Sequence, residues 1–590
     1  MKRLITICAI VCLWLLPLAA QQPALKGWPV ILEDYQKGLI SLDEKARLAL
    51  NLLVNPEILP ERYRIDVPMR DATTMILDIM TDKDQIDPWI IEQYYLVLTR
   101  VNKQRFYDTP EGNFRIHYDT SGTHAVYQPD IDVDPADGVP DFVNRTSEYF
   151  ERAWTFQSDT LGYDTPPFDG SNGGGSNLYD VYMHRYSGAY GVTWPENYSN
   201  QRPNRNYDMT SYIYVDPTYN GFGYPDRTLP MKVTSAHEFF HAVQFAYNAN
   251  AGGWFMENCA VWMEETMWDE INDCYFYMPY FFNNVHFAMT TYNGSYEYGA
   301  FVWPTFLSEF HDNEIIRTVW EWSIPSNAFN AIVGVLDEYG SGIENEYPIY
   351  ATWNFLTGSR SDEEHYEEGS AYDLVRIMRT HTSYPVVNNN TNLPPSSFGC
   401  NYVMFTRAGN SGSLTIEFDG STGGSWVVPI VKSISISEHE FGEIELDGDY
   451  VGEITIPNFE NYSAVTMIPC LLNGSNVNYH YSATLDTAVS VDENQVHLPD
   501  AFIIHGSYPN PFNAGAVLSF TAPESFNGAG RLAIYDELGR QVAAQPINVC
   551  GGLNKVAISY GGKNQFGSGL YFYRLEVGPN VFTGKMTYLK

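Results

Sequence analysis

The sequence predicts a multidomain α+β protein in which a mixed helical and stranded region is followed by β-sandwich domains. The chain has 590 residues, which is too long for a single hydrophobic core. Helical and strand patterns mix in the first two thirds, and near residue 390 the apolar residues begin to alternate with a period of two. The apolar fraction of 44% excludes an intrinsically disordered chain.

The first 20 residues have the order of a secretory signal peptide. Lys2 and Arg3 precede an apolar run from Leu4 to Leu16, and the small residues Ala19 and Ala20 follow it. The run is shorter than the about 20 apolar residues that a membrane-spanning helix needs. We therefore expect an exported mature chain without a transmembrane segment.

The net charge of the chain limits the classes of partner that it can bind. The 71 acidic residues outnumber the 34 basic ones, which gives a net charge of -37. An anionic field of this size repels nucleic acid and anionic lipid. We therefore expect no nucleic-acid partner.

The cysteines do not define a disulfide framework, because an odd number follows the signal and their spacing is wide. Cys400 could pair with Cys470, and Cys259 with Cys274. Free buried thiols are the alternative.

Residues 21–110 have helical patterns. Ser41–Glu44 has the Ser-x-x-Glu form of a capping box, and the helix that it opens should stop at Pro56. Further helical patterns cover Thr73–Asp82 and Trp89–Arg100, and none of them carries a motif for chemistry. Such a segment between a signal and an enzyme is either a propeptide that keeps the enzyme latent or an ordinary N-terminal subdomain. Both interpretations stay open at this stage.

Residues 111–385 form the predicted catalytic domain. Alternating apolar residues predict strands at Phe114–Asp119, Asp180–His184 and Ser211–Asp216. An apolar stripe predicts a helix over Asp141–Phe156, and another helix runs from Met231 to Asn248 before the Gly252–Gly253 turn. A small mixed sheet followed by helices is typical of an α+β catalytic domain.

Residues 386–486 have the pattern of a β-sandwich domain. Strands are predicted at Tyr402–Thr406, Ser413–Phe418, Ser425–Val431, Glu443–Leu446, Glu453–Ile456 and Ala464–Ile468. A linker over residues 487–504 leads to a last β-domain, residues 505–590.

The motif that carries chemistry is His237-Glu238-Phe239-Phe240-His241. Residues four apart lie on one face of a helix, so both imidazoles can bind one metal ion. Zn²⁺ suits two histidines, one carboxylate and an open position for water, whose proton Glu238 would accept. The alternative is a polar helix face with two ordinary histidines. It is disfavoured because the apolar neighbours predict a buried helix, where unpaired imidazoles are costly.

A third ligand should follow on the next helix. Glu257 comes 16 residues after His241, which leaves room for the first helix to end and the chain to return. Glu264 lies two helical turns further along the same face. It is either the alternative ligand or a group that orients a histidine.

The segments HEFFHAVQFAYN and WFMENCAVWMEE resemble the gluzincin metallopeptidases, in which an H-E-x-x-H helix is followed by a glutamate-bearing helix. Clostridial-type collagenases similarly carry W-F-x-E-G-x-A, whose glutamate binds zinc. The resemblance assigns that role to Glu257, although Asn258 stands where glycine usually follows. It also implies a zincin-like catalytic domain. Asp137–Val143, His237–Phe245 and Tyr298–Trp303 are similar to segments of a group of secreted bacterial metalloproteases.

Acyl transfer also needs a donor to the oxyanion of the tetrahedral intermediate. Tyr296-Glu297-Tyr298-Gly299 resembles the Tyr-x-x-Gly of zinc aminopeptidases, whose tyrosine has this role. The match assigns Tyr296 as the catalytic donor, with Tyr298 as second choice. A tyrosine that only packs is the alternative.

An acidic loop offers hard oxygen ligands of the kind that Ca²⁺ prefers. It lacks the EF-hand pattern, and the alternative is a solvated turn with Asp141 capping the next helix. The candidate calcium ligands are Asp130, Asp132, Asp134, Asp137 and Asp141.

The last 85 or so residues resemble the type A sorting domain of the type IX secretion system. Three ordered segments carry this resemblance: Tyr508–Asn513, Ile534–Arg540 and Ser568–Leu575. The resemblance implies the type IX secretion machinery as a partner and export through the outer membrane, with secretion or surface attachment. A structural or carbohydrate-binding β-sandwich is the alternative.

Together these patterns predict a secreted zinc-dependent endopeptidase that hydrolyses protein or peptide substrates. A zinc aminopeptidase is one alternative, but the carboxylate that would bind the free amine is not identified. A non-catalytic adhesion protein on a protease fold is the other, and the intact His-Glu-His motif argues against it. Cleavage preference, oligomeric state and the role of the β-sandwich do not follow from the sequence.

Overall fold

Several sheets and many helices make up this chain, which is a multidomain α+β protein. The structure is a computed structural model. It describes residues 25–486, except 171–174, 200, 363, 408 and 410, and residues 502–588, except 509, 511, 513–514, 537 and 560–568. The chain divides into two units, Met1–Thr487 and Ala488–Lys590. The predicted signal and most of the predicted linker lie outside the described residues.

The N-terminal region is helical as predicted, but it also contributes strands. Its helices and strands are α1 (Trp28–Gln36), α2 (Leu42–Val54), β1 (Met69–Asp71), α3 (Thr73–Thr81), α4 (Pro88–Val97) and β2 (Arg105–Asp108). The Ser41 hydroxyl accepts from the Glu44 N–H at 3.2 Å, which confirms the predicted N-cap of α2. The helices share a core with one face of the next sheet, through Val192, Trp194 and Tyr212 among others.

A six-stranded mixed sheet with the order β1-β5-β6-β4-β3-β2 organises the first unit. Its other strands are β3 (Phe114–Tyr118), β4 (Tyr179–Met183), β5 (Ala189–Tyr198) and β6 (Met209–Val215). Three of these confirm the predicted strands, whereas β5, with its glycine and proline, lacks clean alternation and was not predicted. β1 and β2 lie before residue 110, so the predicted boundary there cuts through this sheet.

The opposite face of the sheet is covered by α5 (Asp141–Trp154) and α6 (Thr228–Gln244). Phe114 of β3 contacts Phe150 of α5 and Phe239 of α6, with ring centroids 5.4 Å apart in both pairs. These contacts hold α6 in the middle of the unit. Both predicted helices are therefore confirmed.

A helical layer follows α6 along the chain. It consists of α7 (Gly253–Met267), α8 (Met278–Phe282), α9 (Tyr296–Gly299), α10 (Val302–Phe310), α11 (Glu314–Ser323), α12 (Ala328–Glu338) and α13 (Ile343–Phe355). Among the described residues, no helix is long and apolar enough to cross a membrane.

Residues after 375 form β-sheets with a core between them. The strands are β7 (Arg379–His381), β8 (Val386–Asn390), β9 (Gly399–Cys400), β10 (Val403–Thr406), β11 (Ser413–Asp419), β12 (Ser425–Val427), β13 (Pro429–Ser433), β14 (His439–Glu443), β15 (Val451–Ile456), β16 (Ala464–Met467), β17 (Cys470–Asn473) and β18 (His480–Asp486). A five-stranded sheet, β14-β13-β16-β10-β7, shares its core with a four-stranded sheet, β15-β11-β18-β8. The predicted strand at Glu443–Leu446 is displaced, because β14 ends at Glu443.

The cysteines of this unit are free and buried, as one alternative predicted. Cys400 of β9 lies opposite Cys470 of β17 in the antiparallel register, but the two are not bonded. Cys259 and Cys274 are not bonded either.

The described residues of the second unit form one antiparallel sheet with its own apolar core, rather than two stacked sheets. Its strands are β19 (Ile503–Tyr508), β20 (Gly515–Asp536), β21 (Gln541–Ser559), β22 (Gly569–Val577) and β23 (Asn580–Tyr588). Asp536 closes the β20–β21 turn by accepting from the N–H groups of Leu538 and Arg540 at 3.0 and 2.8 Å. Parts of all three sorting-domain segments lie outside the described residues.

Candidate metal centre

The predicted metal-binding histidines lie on a deeply buried helix. His237 and His241 are one turn apart on α6, and both are buried, as is Glu238. Phe239 and Phe240 place the neighbouring faces of α6 in the core. Three polar side chains are thus concentrated where burial without a partner is costly.

The structure brings His237, His241 and Glu257 together at one point. The two Nε2 atoms lie 3.1 Å apart, and Oε2 of Glu257 lies 3.3 Å from His237 Nε2 and 3.7 Å from His241 Nε2. Ligand atoms about 2.0–2.2 Å from a tetrahedral zinc ion would lie about 3.3–3.6 Å from one another. The spacing and the donor set therefore fit one zinc ion.

The remaining bonding of these ligands points to the same conclusion. Oε2 of Glu257 is buried and accepts no hydrogen bond from the described residues. Burial alone raises the pKa of this carboxyl, but the neighbouring histidines lower the pKa of Glu257 below its usual range. A buried carboxylate oxygen directed between two imidazoles is a suitable metal ligand.

Each imidazole is oriented through its other nitrogen. Nδ1 of His237 lies 2.5 Å from Oε1 of Glu264, and Nδ1 of His241 lies 2.8 Å from Oε1 of Gln244. Both contacts leave Nε2 as the nitrogen directed at the centre. Gln244 also donates to the Met256 carbonyl at 2.9 Å, which connects α6 to α7.

Glu257 and Glu264 therefore have different positions, as the sequence suggested. α7 begins at Gly253 after the positive φ of 124° at Gly252, and this turn brings the Glu257 carboxylate to the centre. Glu264 reaches the far side of the His237 ring. Burial raises the pKa of Glu264 to about 7, although His237 opposes that shift. Gln244 was not predicted, although its position three residues after His241 could have indicated it.

Glu238 faces the same space from the side of the sheet. The Thr193 hydroxyl donates to its Oε2 at 2.7 Å, whereas Oε1 accepts no hydrogen bond from the described residues. A Cβ on Gly191 of β5 would lie 2.0 Å from that Oε1, so glycine is required here. Burial and the nearby charge of Asp71 raise the pKa of Glu238 well above its usual value.

One carboxylate at the centre was not predicted. Asp71, at the end of β1, joins His237, His241 and Glu257 in a buried group whose ligand atoms all lie within 4.8 Å of one another. Its Oδ2 lies 3.9 Å from His241 Nε2. Asp71 belongs to the N-terminal region and lies in no motif, so no sequence pattern indicated it.

The two candidate tyrosines differ in their surroundings. The Tyr296 ring packs against Phe281 and Phe287, with centroids 5.4 and 5.6 Å away. Its pKa is raised by burial and by Cys400, with no contribution from the metal centre. Burial raises the pKa of Tyr298 as well, and the charges of Glu257 and Asp71 add to that shift. Of the two tyrosines, the second choice, Tyr298, is the one whose pKa the carboxylates of the metal centre influence, and the role of either tyrosine as oxyanion donor stays a prediction.

The predicted calcium loop is held by hydrogen bonds to its own backbone. Asp132 accepts from the N–H groups of Asp137 and Gly138 at 2.9 Å, and Asp141 accepts from Val133 at 2.7 Å. No three of the five described loop carboxylates, Asp130, Asp132, Asp134, Asp137 and Asp141, converge within 4.8 Å. These contacts match the alternative of a solvated turn, although Asp141 reaches back into the loop instead of capping α5. Calcium binding stays a prediction.

Comparison with known proteins finds a match to one family, whose function is unknown. The model of a family of unknown function, DUF6055, matches residues 223–451, a range that includes the two histidines and Glu257 but not Asp71. No curated protein matches the chain.

The chain also resembles parts of solved structures. A glycosyl hydrolase family 2 member from Bacteroides cellulosilyticus is 14% identical at a TM-score of 0.14, over 32% of this chain and 26% of that one. A β-1,2-glucanase from Parabacteroides distasonis is 11% identical at a TM-score of 0.11, over 30% of this chain and 28% of that one. The BSP domain of a biofilm associated protein is 11% identical at a TM-score of 0.13, over 30% of this chain and 45% of that one. The chain thus spans less than half the length of each of these proteins.

Proposed function

We propose that this protein is a secreted zinc-dependent peptidase with a zincin-like catalytic domain. One observation carries the proposal: His237, His241 and Glu257 converge at distances that suit one zinc ion, with Glu238 beside them. Two histidines and one carboxylate are the protein ligands of a catalytic zinc that keeps one position open.

In this proposal, His237, His241 and Glu257 would hold a zinc ion, which would supply Lewis acidity to the scissile carbonyl and to the attacking water. Glu238 is the general base. Because Thr193 holds its Oε2, its Oε1 is the atom left to receive the proton and to pass it to the leaving amine. Glu264 and Gln244 hold the two imidazoles in orientation.

Tyr298 is the proposed donor to the oxyanion. Burial raises the pKa of Tyr298, and the charges of Glu257 and Asp71 raise it further, which indicates that its hydroxyl lies near the metal centre. A phenol hydroxyl can stabilise negative charge that develops on the carbonyl oxygen in the transition state. Tyr296 packs elsewhere and has no place in this mechanism.

The substrate is proposed to be a protein or peptide cleaved internally. A zinc aminopeptidase would need a further carboxylate beside the cleft to bind the free amine, and a surface adhesion protein would need no metal chemistry. Cleavage of a peptide with a blocked N-terminus separates the first two possibilities. Bound zinc without any hydrolysis would favour the third.

Export is proposed to occur through the outer membrane by the type IX secretion machinery, with the protein secreted or attached to the surface. The support is the signal-like N-terminus and the sorting-domain segments of residues 505–590. The second unit also has its own apolar core, as expected for a module that acts separately.

Zinc analysis combined with hydrolysis of casein tests the catalytic proposal. We expect about one zinc per chain, lost together with activity in His241→Ala. Glu238→Gln should keep the zinc and lose about 100- to 10,000-fold in turnover, because only the proton acceptor is changed. Full zinc occupancy in His241→Ala, or near-normal turnover in Glu238→Gln, would refute the assignment.

A further inference from the structure

A short stretch of the N-terminal region, Met69–Thr74, lies inside the proposed catalytic centre. Three of its side chains each contact a different group there. Asp71 lies 3.9 Å from His241, the Thr73 hydroxyl donates to Asp71 at 2.6 Å and lies 3.2 Å from the Glu238 carboxylate, and the Thr74 hydroxyl donates to Glu257. The stretch therefore touches a metal ligand, the proposed base and a second ligand at once.

The backbone of this stretch is also held at the centre. β1 pairs in parallel with β5, with Met69 opposite Ala189 and Asp71 opposite Gly191. The Met69 N–H donates to the Gly188 carbonyl at 2.8 Å, and the Ala72 N–H donates to the Gly191 carbonyl at 3.2 Å. Without β1, the edge of β5 beside Glu238 would offer its backbone groups to another extended chain.

The number of ligands is the decisive point. A catalytic zinc keeps three protein ligands and one open position, whereas four protein ligands close the shell as in a structural site. Asp71 is a fourth ligand group, because a carboxylate oxygen of it lies within 4.8 Å of the ligand atoms of His237, His241 and Glu257. Asp71 is buried, and its carboxylate accepts hydrogen bonds from the Thr73 N–H at 2.8 Å and from the Thr73 hydroxyl at 2.6 Å, so the stretch itself holds this carboxylate beside the histidines.

We infer that Met69–Thr74 is an intramolecular inhibitor of this protein. Asp71 completes the ligand set of the ion, and β1 covers the sheet edge on which a substrate chain would pair. The inference rests on the proposed peptidase function and adds its regulation. The active state requires this stretch to leave the centre.

The surrounding structure indicates how much of the chain must move. Exposed residues flank the stretch on both sides, Asp66–Val67 before β1 and Lys83–Gln85 after α3. The rest of the N-terminal region is packed tightly on the sheet: a Cβ on Gly188 would lie 1.8 Å from the Leu52 carbonyl oxygen. α3 is part of the same core through Met75, Ile76 and Ile79, so opening of the centre requires this helix to leave the core together with β1, while α1, α2 and α4 still cover the sheet.

The first test compares Asp71→Ala and Asp71→Asn with the wild type as intact chains. We expect X-ray absorption to show one fewer protein ligand on zinc in both variants. Binding of a peptide hydroxamate, which needs an open metal position, should tighten on the order of 10- to 100-fold, the change that loss of one charge-assisted contact produces. Asp66→Asn is the control, because Asp66 lies on the same segment, is exposed and pairs with Lys26.

The second test keeps every site residue and cuts the chain on both sides of β1 and α3 with an added protease. Recognition sequences for a specific protease replace Asp66–Val67 and Lys83–Gln85. Cutting at both should raise casein hydrolysis and hydroxamate binding about 10-fold or more, since the contacts of the stretch are lost together. The same cut in a Glu238→Gln background should raise hydroxamate binding only.

The possible failures are distinguishable. If the wild type binds zinc through His237 and His241, but neither Asp71 replacement nor cutting alters its ligands or its hydroxamate affinity, the inhibitor is refuted and the peptidase stands. The inhibitor is also refuted, and the peptidase stands, if the uncut wild type hydrolyses casein at full rate and cutting does not raise that rate. If the wild type binds no zinc, the proposed function fails and the inhibitor with it.

Discussion

Oε1 of Glu264 lies 2.5 Å from Nδ1 of His237, on the side of the ring that faces away from the metal centre. Glu257, two turns earlier on the same helix, lies 3.3 Å from Nε2 of that ring. One imidazole thus lies between a proposed ligand and a proposed orienting group. This relationship gives the two glutamates separable roles.

Glu257→Ala should lose most zinc binding, whereas Glu264→Ala should retain zinc with an affinity about 10- to 100-fold weaker, as expected for an orienting group. Competition with a chromogenic chelator measures both affinities. Glu270→Gln, at the exposed end of the same region, is the control and should bind zinc normally. If Glu264→Ala loses more zinc affinity than Glu257→Ala, then Glu264 is the ligand and Glu257 is the orienting group.

Tyr298→Phe should lower kcat about 100- to 1000-fold with little change in KM, because it removes a donor that acts on the transition state. Tyr296→Phe is the matched control, two residues away on the same short helix, and should be close to the wild type. Steady-state kinetics on a peptide substrate measure both. Equal losses in the two variants would mean that the tyrosines act through packing.

Removal of the metal should destabilise the fold. Four buried carboxyl groups, Asp71, Glu238, Glu257 and Glu264, lie around the centre, and without a cation the charged forms of these groups are costly to bury close together. At free zinc about 100-fold above its Kd, binding should add about 2.7 kcal/mol to the free energy of unfolding. Thermal unfolding with and without a chelator checks this expectation.

The chelator should leave the unfolding of His241→Ala unchanged, because that variant is expected to lack the ion. A chelator effect of the same size in both proteins would place the stabilising ion elsewhere, for example in the acidic loop around Asp132.

A chain that ends near Pro499 should be exported to the periplasm and stay there in folded form. It lacks residues 505–590, which carry the sorting-domain segments, but keeps the apolar cores of the first unit. Cell fractionation shows where the protein accumulates, and zinc content shows whether it is folded. Normal surface delivery of the shortened chain would contradict the sorting role.

The sequence alone was sufficient for the features that depend on local periodicity. His237 and His241 are four residues apart on an apolar helix, so their shared face follows from helix geometry. Glu257 follows a glycine turn that returns the next helix to that face. Ser41 as N-cap, the strands β3, β4 and β6, and the period-two region after residue 390 were predicted for the same reason.

Tertiary structure alone decided the features that depend on distant segments. Asp71 and Thr193 reach the centre because β1 and β5 lie side by side in the sheet, and neither strand has a pattern that indicates its partner. Tyr296 and Tyr298 are two residues apart, and only the packing of the short helix α9 determines which one is near Glu257. Periodicity specifies which face of an element is buried, but which elements meet depends on the packing of the whole domain.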